Sequence, residues 1–234
     1  MRNSEFKLLV ENWRGFLNES SKSIGINKIF NKLEFLEEEG EFSGEKIVIH
    51  YEEDAEGFGM VSYGGYHESN YMGIGFGGKG LSGSIEFERS AEGDPYGFAL
   101  GGYRISETHE TTDGFGPLLY EIIIEKVSER GSFLMCDRGS VSDEAKRVWD
   151  IYMSRPDVKK VQLDINEYEA ERFGVDQLTP ADPDDDTSMR AALADKGVDN
   201  WEASSLSKGY YKEKGSTPVL DFLRKSKFID FIET

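Results

Sequence analysis

Thr111-Thr112-Asp113-Gly114-Phe115-Gly116-Pro117-Leu118-Leu119 lies where the chain changes from strand-like to helix-like patterning. Two glycines allow a tight backbone turn, and their missing Cβ atoms let a ligand approach closely. Pro117 suits a first helical turn, where a missing N–H costs nothing. After it Leu118, Leu119, Ile122, Ile123 and Val127 recur at helical spacing, and Arg130-Gly131 ends the helix. Amides at such a helix start lack partners and sit at the positive end of the helix dipole. The turn is therefore suited to a phosphate or pyrophosphate, although ordinary tight turns use the same residues.

Upstream, Lys46–Tyr51, Phe58–Tyr63, Tyr71–Phe76, Gly83–Glu88 and Gly97–Ser106 are β-rich runs broken by glycine pairs or charged turns. They read as an antiparallel meander. Glycine is dense from Gly57 to Gly102, which points to bulges and close backbone approaches. Downstream, Ser132–Asp137 reads as a short apolar strand. Ser142 caps a helix whose inner face is Ala145, Val148, Trp149 and Tyr152, Pro156 stops it, and Val158–Ile165 resumes as a strand.

Two helices are expected before the meander. Phe6, Leu9, Val10, Trp13, Phe16 and Leu17 mark one over Glu5 to Asn18. Ile26, Ile29, Phe30, Leu33 and Leu36 mark a second after Gly25, fraying at Glu37–Glu39 ahead of Gly40. Beyond Asn166 the pattern weakens to an acidic loop at Asp182–Asp186, a short helix from Ser188 to Lys196 closed by Gly197, and loop-like sequence to Gly215. A last helix starts at Ser216-Thr217-Pro218 and runs through Lys225. The expected architecture is an α+β fold with a mixed, mostly antiparallel central sheet. Residues 1–40 form helices packing on the core, 41–166 the core, and 167–234 a helical and loop extension.

Composition narrows the functions. With 234 residues, 38% of them hydrophobic, the chain suits one main domain. No run approaches the ~20 apolar residues of a membrane span. Lys7, Glu11 and Asn12 interrupt the apolar residues at the start, so no signal-peptide core is expected. The lone Cys136 allows no intrachain disulfide and fits a reducing compartment. A net charge of −18 argues against binding nucleic-acid backbones and would suit a basic partner or simple solubility.

Several chemistries lack their signatures. His50 and His67 have no cysteine companions, so no zinc pattern is present. Asp182-Pro183-Asp184-Asp185-Asp186 lacks the spacing of an EF-hand and reads as a solvated acidic loop. Ser140 and Ser142 lack the glycine context of a nucleophilic serine. No metal site is expected. Asp137-Arg138-Gly139-Ser140 follows a strand, where open α/β sheets meet ligands, or forms an internal Asp–Arg pair.

The order of strands, glycine turn, helix, strand, helix and strand resembles that of the GNAT N-acetyltransferase superfamily over Lys46 to Ile165. The resemblance implies acetyl-CoA as cofactor, its pyrophosphate bound at Thr111, Thr112, Asp113, Gly114, Phe115, Gly116, Pro117, Leu118 and Leu119. Ser132–Asp137 is similar to the strand beside which the pantetheine arm lies, and Ser142–Ser154 to the next helix. Two residues depart from the family pattern. Thr111 stands three before the first glycine, where Arg or Gln is usual, and Trp149 stands four after Ala145, where a Tyr often protonates the leaving thiolate. Tyr152, about one turn later, is the candidate replacement.

Acetyl transfer also needs a base for the amine, and Glu86, Glu88, Glu107 and His109 are the strand-borne candidates. Of these, imidazole is the side-chain type whose charge changes near neutral pH. Phe6–Arg14, Gly114–Tyr120 and Cys136–Ser142 resemble segments recurring among tailed-phage proteins. That likeness implies a place in the virion or the host cytoplasm. It leaves two roles open: acetyl transfer to an amine on a small molecule or protein, or an inactive phage protein that meets a structural or host partner.

Overall fold

The computed structural model describes residues 24–43, 47–63, 83–91, 99, 101–109 and 115–234. Helix α1 (Ile24–Ser43) precedes strands β1 (Ile47–Glu53), β2 (Phe58–Tyr63), β3 (Gly83–Arg89) and β4 (Tyr103–Thr108). Then come α2 (Gly116–Glu129), β5 (Leu134–Met135), α3 (Asp143–Ser154), β6 (Lys159–Gln162), β7 (Asp164–Ile165) and α4 (Glu167–Phe173). The chain continues with β8 (Asp186–Thr187), α5 (Arg190–Lys196), β9 (Lys208–Tyr211), α6 (Pro218–Leu223) and β10 (Ile229–Glu233). The expected helix over Glu5–Asn18, the run Tyr71–Phe76 and the turn residues Thr111–Gly114 lie outside the described residues.

The fold is α+β around a mixed sheet of order β10-β1-β2-β3-β4-β5-β9-β6. Strands β1 to β4 form an antiparallel meander, and their alternation sorts the faces. Ile49, Tyr51, Val61, Ile85, Phe87, Tyr103 and Ile105 enter the core. Glu52, Met60, Glu86, Glu88 and Arg104 occupy the alternate positions on the other face. Strand β5 then runs parallel to β4, which requires a crossover, and α2 supplies it.

Helix α2 is the centre of the core, with ten of its fourteen residues buried. Two of these are glutamates. The Arg155 guanidinium, at the end of α3, grips Glu121 through two bonds of 2.6 and 2.8 Å and also reaches Asp157. Lys212, just past β9, lies between Glu121 and Glu125, and Glu125 accepts the backbone N–H of Leu220 in α6 at 2.9 Å. One buried stripe of α2 therefore ties down α3, β9 and α6.

Residues 167–234 do not form a separable extension. Strand β9 inserts antiparallel between β5 and β6, and β10 pairs parallel with β1 at the far edge. Helix α1 runs past Gly40 rather than fraying, because Glu37 is buried and accepts Ser226 Oγ and the N–H of Lys227. The run Val158–Ile165 divides at Leu163, whose N–H bonds Ser207 O. Its first half joins the main sheet, and its second pairs with β8. Of the run expected to begin at Gly97, the described Gly101 and Gly102 precede the strand, which begins at Tyr103.

Strand β5 is two residues long instead of six. Phe133, just before it, lies across Gly102 and Gly209, where an added Cβ would come within 2.5 and 2.4 Å of its ring. Gly209→Ala is expected to cost about 1–3 kcal/mol through overpacking. Urea unfolding checks this, since an unchanged midpoint would contradict the close approach.

Burial alone would raise the Glu121 carboxyl, but Arg155 and Lys212 bring it down to about 2. A depressed carboxyl stabilises the fold above its unfolded value of 4.5, and that contribution is lost as pH falls toward about 2. Arg155→Ala leaves this buried charge without its main partner and should cost about 3–5 kcal/mol at neutral pH. Thermal unfolding with less than about 1 kcal/mol of loss would show that the pair does not hold α2.

Candidate functional site

As it does at its other end, between β1 and β10, the meander gives way to a parallel pairing between β4 and β5. Their pairing covers only Tyr103↔Leu134 and Arg104↔Met135, while β4 continues to Thr108. The second half of β4 thus outruns β5, on the side where the chain leaves toward α2. A bulge falls there too, since Phe87 faces Ile105 but Glu86 faces Glu107. Ser106 is the extra residue, and its buried hydroxyl has no hydrogen-bond partner among the described residues.

The start of α2 differs from those of α3 and α4. Ser142 caps α3 at Ala145 N (3.2 Å) and Asn166 caps α4 at Glu169 N (2.9 Å), each with two acidic residues in the first turn. Among the described residues helix α2 has no side-chain cap, and its first turn has no acidic residue. Pro117 has no N–H, and the N–H groups of Leu118 and Leu119 bond Phe115 O at 3.0 and 3.4 Å, so the Gly116 amide is what this first turn has to offer an anion. Lys32 of α1 adds positive charge there, its Nζ 4.6 Å from the centre of the Phe115 ring.

Of the cofactor residues expected from the sequence, Phe115, Leu118 and Leu119 have buried side chains, and the N–H groups of the two leucines bond Phe115 O. Gly116 and Pro117 are half-buried. Thr111, Thr112, Asp113 and Gly114 are among the residues not described.

Three of the four candidate bases meet. The N–H of His109 bonds Ser84 O at 3.0 Å, which swings its ring to 3.1 Å from Glu86 and 3.9 Å from Glu107. Glu88 instead pairs with Arg104 at 2.9 Å. Glu52, Met60, Glu86 and Glu107 stand in one cross-strand row over β1 to β4. Beside that row is a cavity of about 430 Å³ lined by Glu52, Glu53, Asp54, Phe58, Met60 and Glu86. It has carboxylates and apolar walls, and among the described residues no cationic side chain lines it. Glu53 is already engaged by Tyr51, Tyr103 and Arg130.

Tyr152, the candidate acid, is 1% exposed. Its ring packs against Trp149 and Tyr210 at 5.9 Å each, with Arg155 5.3 Å away. Burial, and then the Glu121 charge, raise its hydroxyl well above the ordinary phenol value. Both changes make it a poorer proton donor to a thiolate. Trp149 stacks on Tyr210 of β9 at 5.5 Å and is equally buried.

The Asp137–Arg138 loop is built for structure. Asp137 accepts the N–H groups of Gly139 and Ser140, while the fully buried Arg138 bonds Ser188 O and Leu206 O at 3.0 Å each. Two groups of possible metal ligands lie within 4.8 Å among the described residues: Glu86, Glu107 and His109, and Asp164, Asp185 and Asp186. Asp182 to Asp184 are exposed, as a solvated loop would be, whereas Asp185 and Asp186 are half-buried beside Asp164. Buried Asp164 accepts the N–H groups of Leu178 and Thr179, and burial together with the neighbouring aspartates pushes Asp186 up to about 6.

Among the described residues no helix is long and apolar enough to cross a membrane. No family model matches the chain, and neither a curated protein nor a solved structure matches it.

Proposed function

We propose that this chain is a GNAT-like N-acyltransferase that moves an acetyl group from acetyl-CoA to a cationic amine. The observation that carries the reading is the β4–α2–β5 crossover. It sets a helix start that has no side-chain cap among the described residues where β4 outruns its parallel partner β5, the kind of place where α/β sheets take up ligands. The order of elements that resembles this superfamily assigns the pyrophosphate to the same turn.

The polar sheet face supports the acceptor side. A cavity of about 430 Å³ is in the range for small ligands, and its carboxylates favour an ammonium while Phe58 and Met60 accept an alkyl chain. Glu86 is both a wall of that cavity and the partner of His109. In the reaction the amine gives a proton to His109, and its nitrogen attacks the thioester carbon. A C–N bond forms and the C–S bond breaks. The acylated nitrogen passes its remaining extra proton through water to the departing thiolate, because Tyr152 is enclosed among aromatic rings.

A second reading is an inactive GNAT-like phage protein that serves as a virion or host-interaction component. The burial of both Trp149 and Tyr152 favours it, since neither can act as the acid of that helix.

Calorimetry with acetyl-CoA up to about 1 mM tests the first reading, which expects saturable binding. No heat would overturn it. With putrescine as acceptor, release of free thiol should be measurable. His109→Ala should lower kcat by roughly 100-fold or more with cofactor affinity unchanged, as expected on losing a general base. Cofactor binding without turnover of any amine would favour the inactive protein.

A further inference from the structure

The polar face of the meander balances its charges unevenly. Glu88 of β3 stands opposite Arg104 of β4 and bonds it at 2.9 Å, an opposite-charge pair. Further along the same two strands, Glu86 stands directly opposite Glu107. Like charges facing each other across a sheet destabilise it. Among the described residues neither glutamate has a Lys or Arg partner. What they share is the His109 ring, with Nε2 3.1 Å from Glu86 and Nδ1 3.9 Å from Glu107.

A neutral imidazole donates through one nitrogen, so it bonds one of the two carboxylates and cancels the charge of neither. A divalent cation cancels both. A carboxylate oxygen from each glutamate and a ring nitrogen of His109 already lie within 4.8 Å of one another. Ligands bound at about 2.0–2.2 Å in a tetrahedral site stand roughly 3.5 Å apart, so small side-chain rotations complete the set. Glu107 is 62% exposed and His109 38%, which leaves these side chains room to turn. Their backbones are held in place by the pairing of β3 with β4 and by the 3.0 Å bond from His109 N–H to Ser84 O.

We propose that Glu86, Glu107 and His109 form a binding site for a divalent transition-metal ion of the zinc type. A nitrogen ligand favours zinc and its transition-metal neighbours over magnesium and calcium, which take oxygen. Three protein ligands leave a coordination position for water. Glu86 also lines the acidic cavity with Glu52 and Asp54, whose carboxylates draw cations to this face. A bound ion occupies the ring that serves as base in the acyltransferase reading, so on that reading it inhibits transfer. The binding itself does not rest on that reading.

Calorimetry of the full chain with Zn²⁺ alone, without acetyl-CoA, tests the site. Saturable binding is expected, and Glu86→Gln, Glu107→Gln and His109→Gln should each weaken it by roughly tenfold or more, since losing even a residue that only supports a ligand costs that much. Absence of saturable binding overturns the proposal. So does binding that persists in these three variants but is lost in Asp186→Asn, which removes a carboxylate of the other cluster. Should a variant not fold, NMR of the histidine ring nitrogens in the native chain decides. Zn²⁺ should displace the His109 signals, and if they stay unmoved the site is wrong whatever the other histidines do. Neither measurement contains acetyl-CoA, so failure here leaves the acyltransferase reading standing, and failure of that reading leaves the metal site.

Discussion

The bidentate grip of Arg155 on Glu121 is the interaction on which the arrangement of the chain depends. A buried carboxylate tolerates no vacancy beside it, because removing one partner of such a pair costs far more than the pair itself contributes. Lys212 reaches the same carboxylate and Glu125 beside it, so β9 must end over α2. That requirement fits the position of β9 between β5 and β6 rather than on an edge. Partners 34, 87 and 95 residues away in sequence thus converge on one stripe of a single helix.

Anchoring α2 along its length also fixes where it starts. The crossover from β4 brings its first turn to the place where β5 has already ended, with no side-chain cap among the described residues. The polar face of the meander carries the other candidate groups. There the cross-strand register, not sequence proximity, joins Glu86 to His109 and sets them beside an acidic cavity. The site and the charge cluster share α2 but use different parts of it.

Local patterns were legible where local physics decides. Phe58–Tyr63 is a strand with the expected bounds, and α2 and α3 begin where Pro117 and the Ser142 cap indicate. Strand β9 was not legible, because Lys208-Gly209-Tyr210-Tyr211 has no strand alternation. It becomes a strand only by pairing with β5 and β6 and by leaving room for Phe133 over Gly209. Tyr152 shows the same limit from the other side. Its helical face was read correctly, yet helical spacing cannot distinguish a face that meets ligand from one that meets Tyr210. The four base candidates could be named from strand positions. Only the bulge at Ser106 and the register across β3 and β4 decide that Glu86 meets His109 while Glu88 goes to Arg104.

The most direct test is to follow the backbone amides by NMR while acetyl-CoA is added. If the crossover builds the cofactor site, the largest shifts will fall on Gly116, Leu118 and Leu119 and on β4 from Ile105 to Thr108, with β7 and β8 unmoved. Shifts that instead cluster at β7, β8 or the loop before α5, with the start of α2 unchanged, would contradict it.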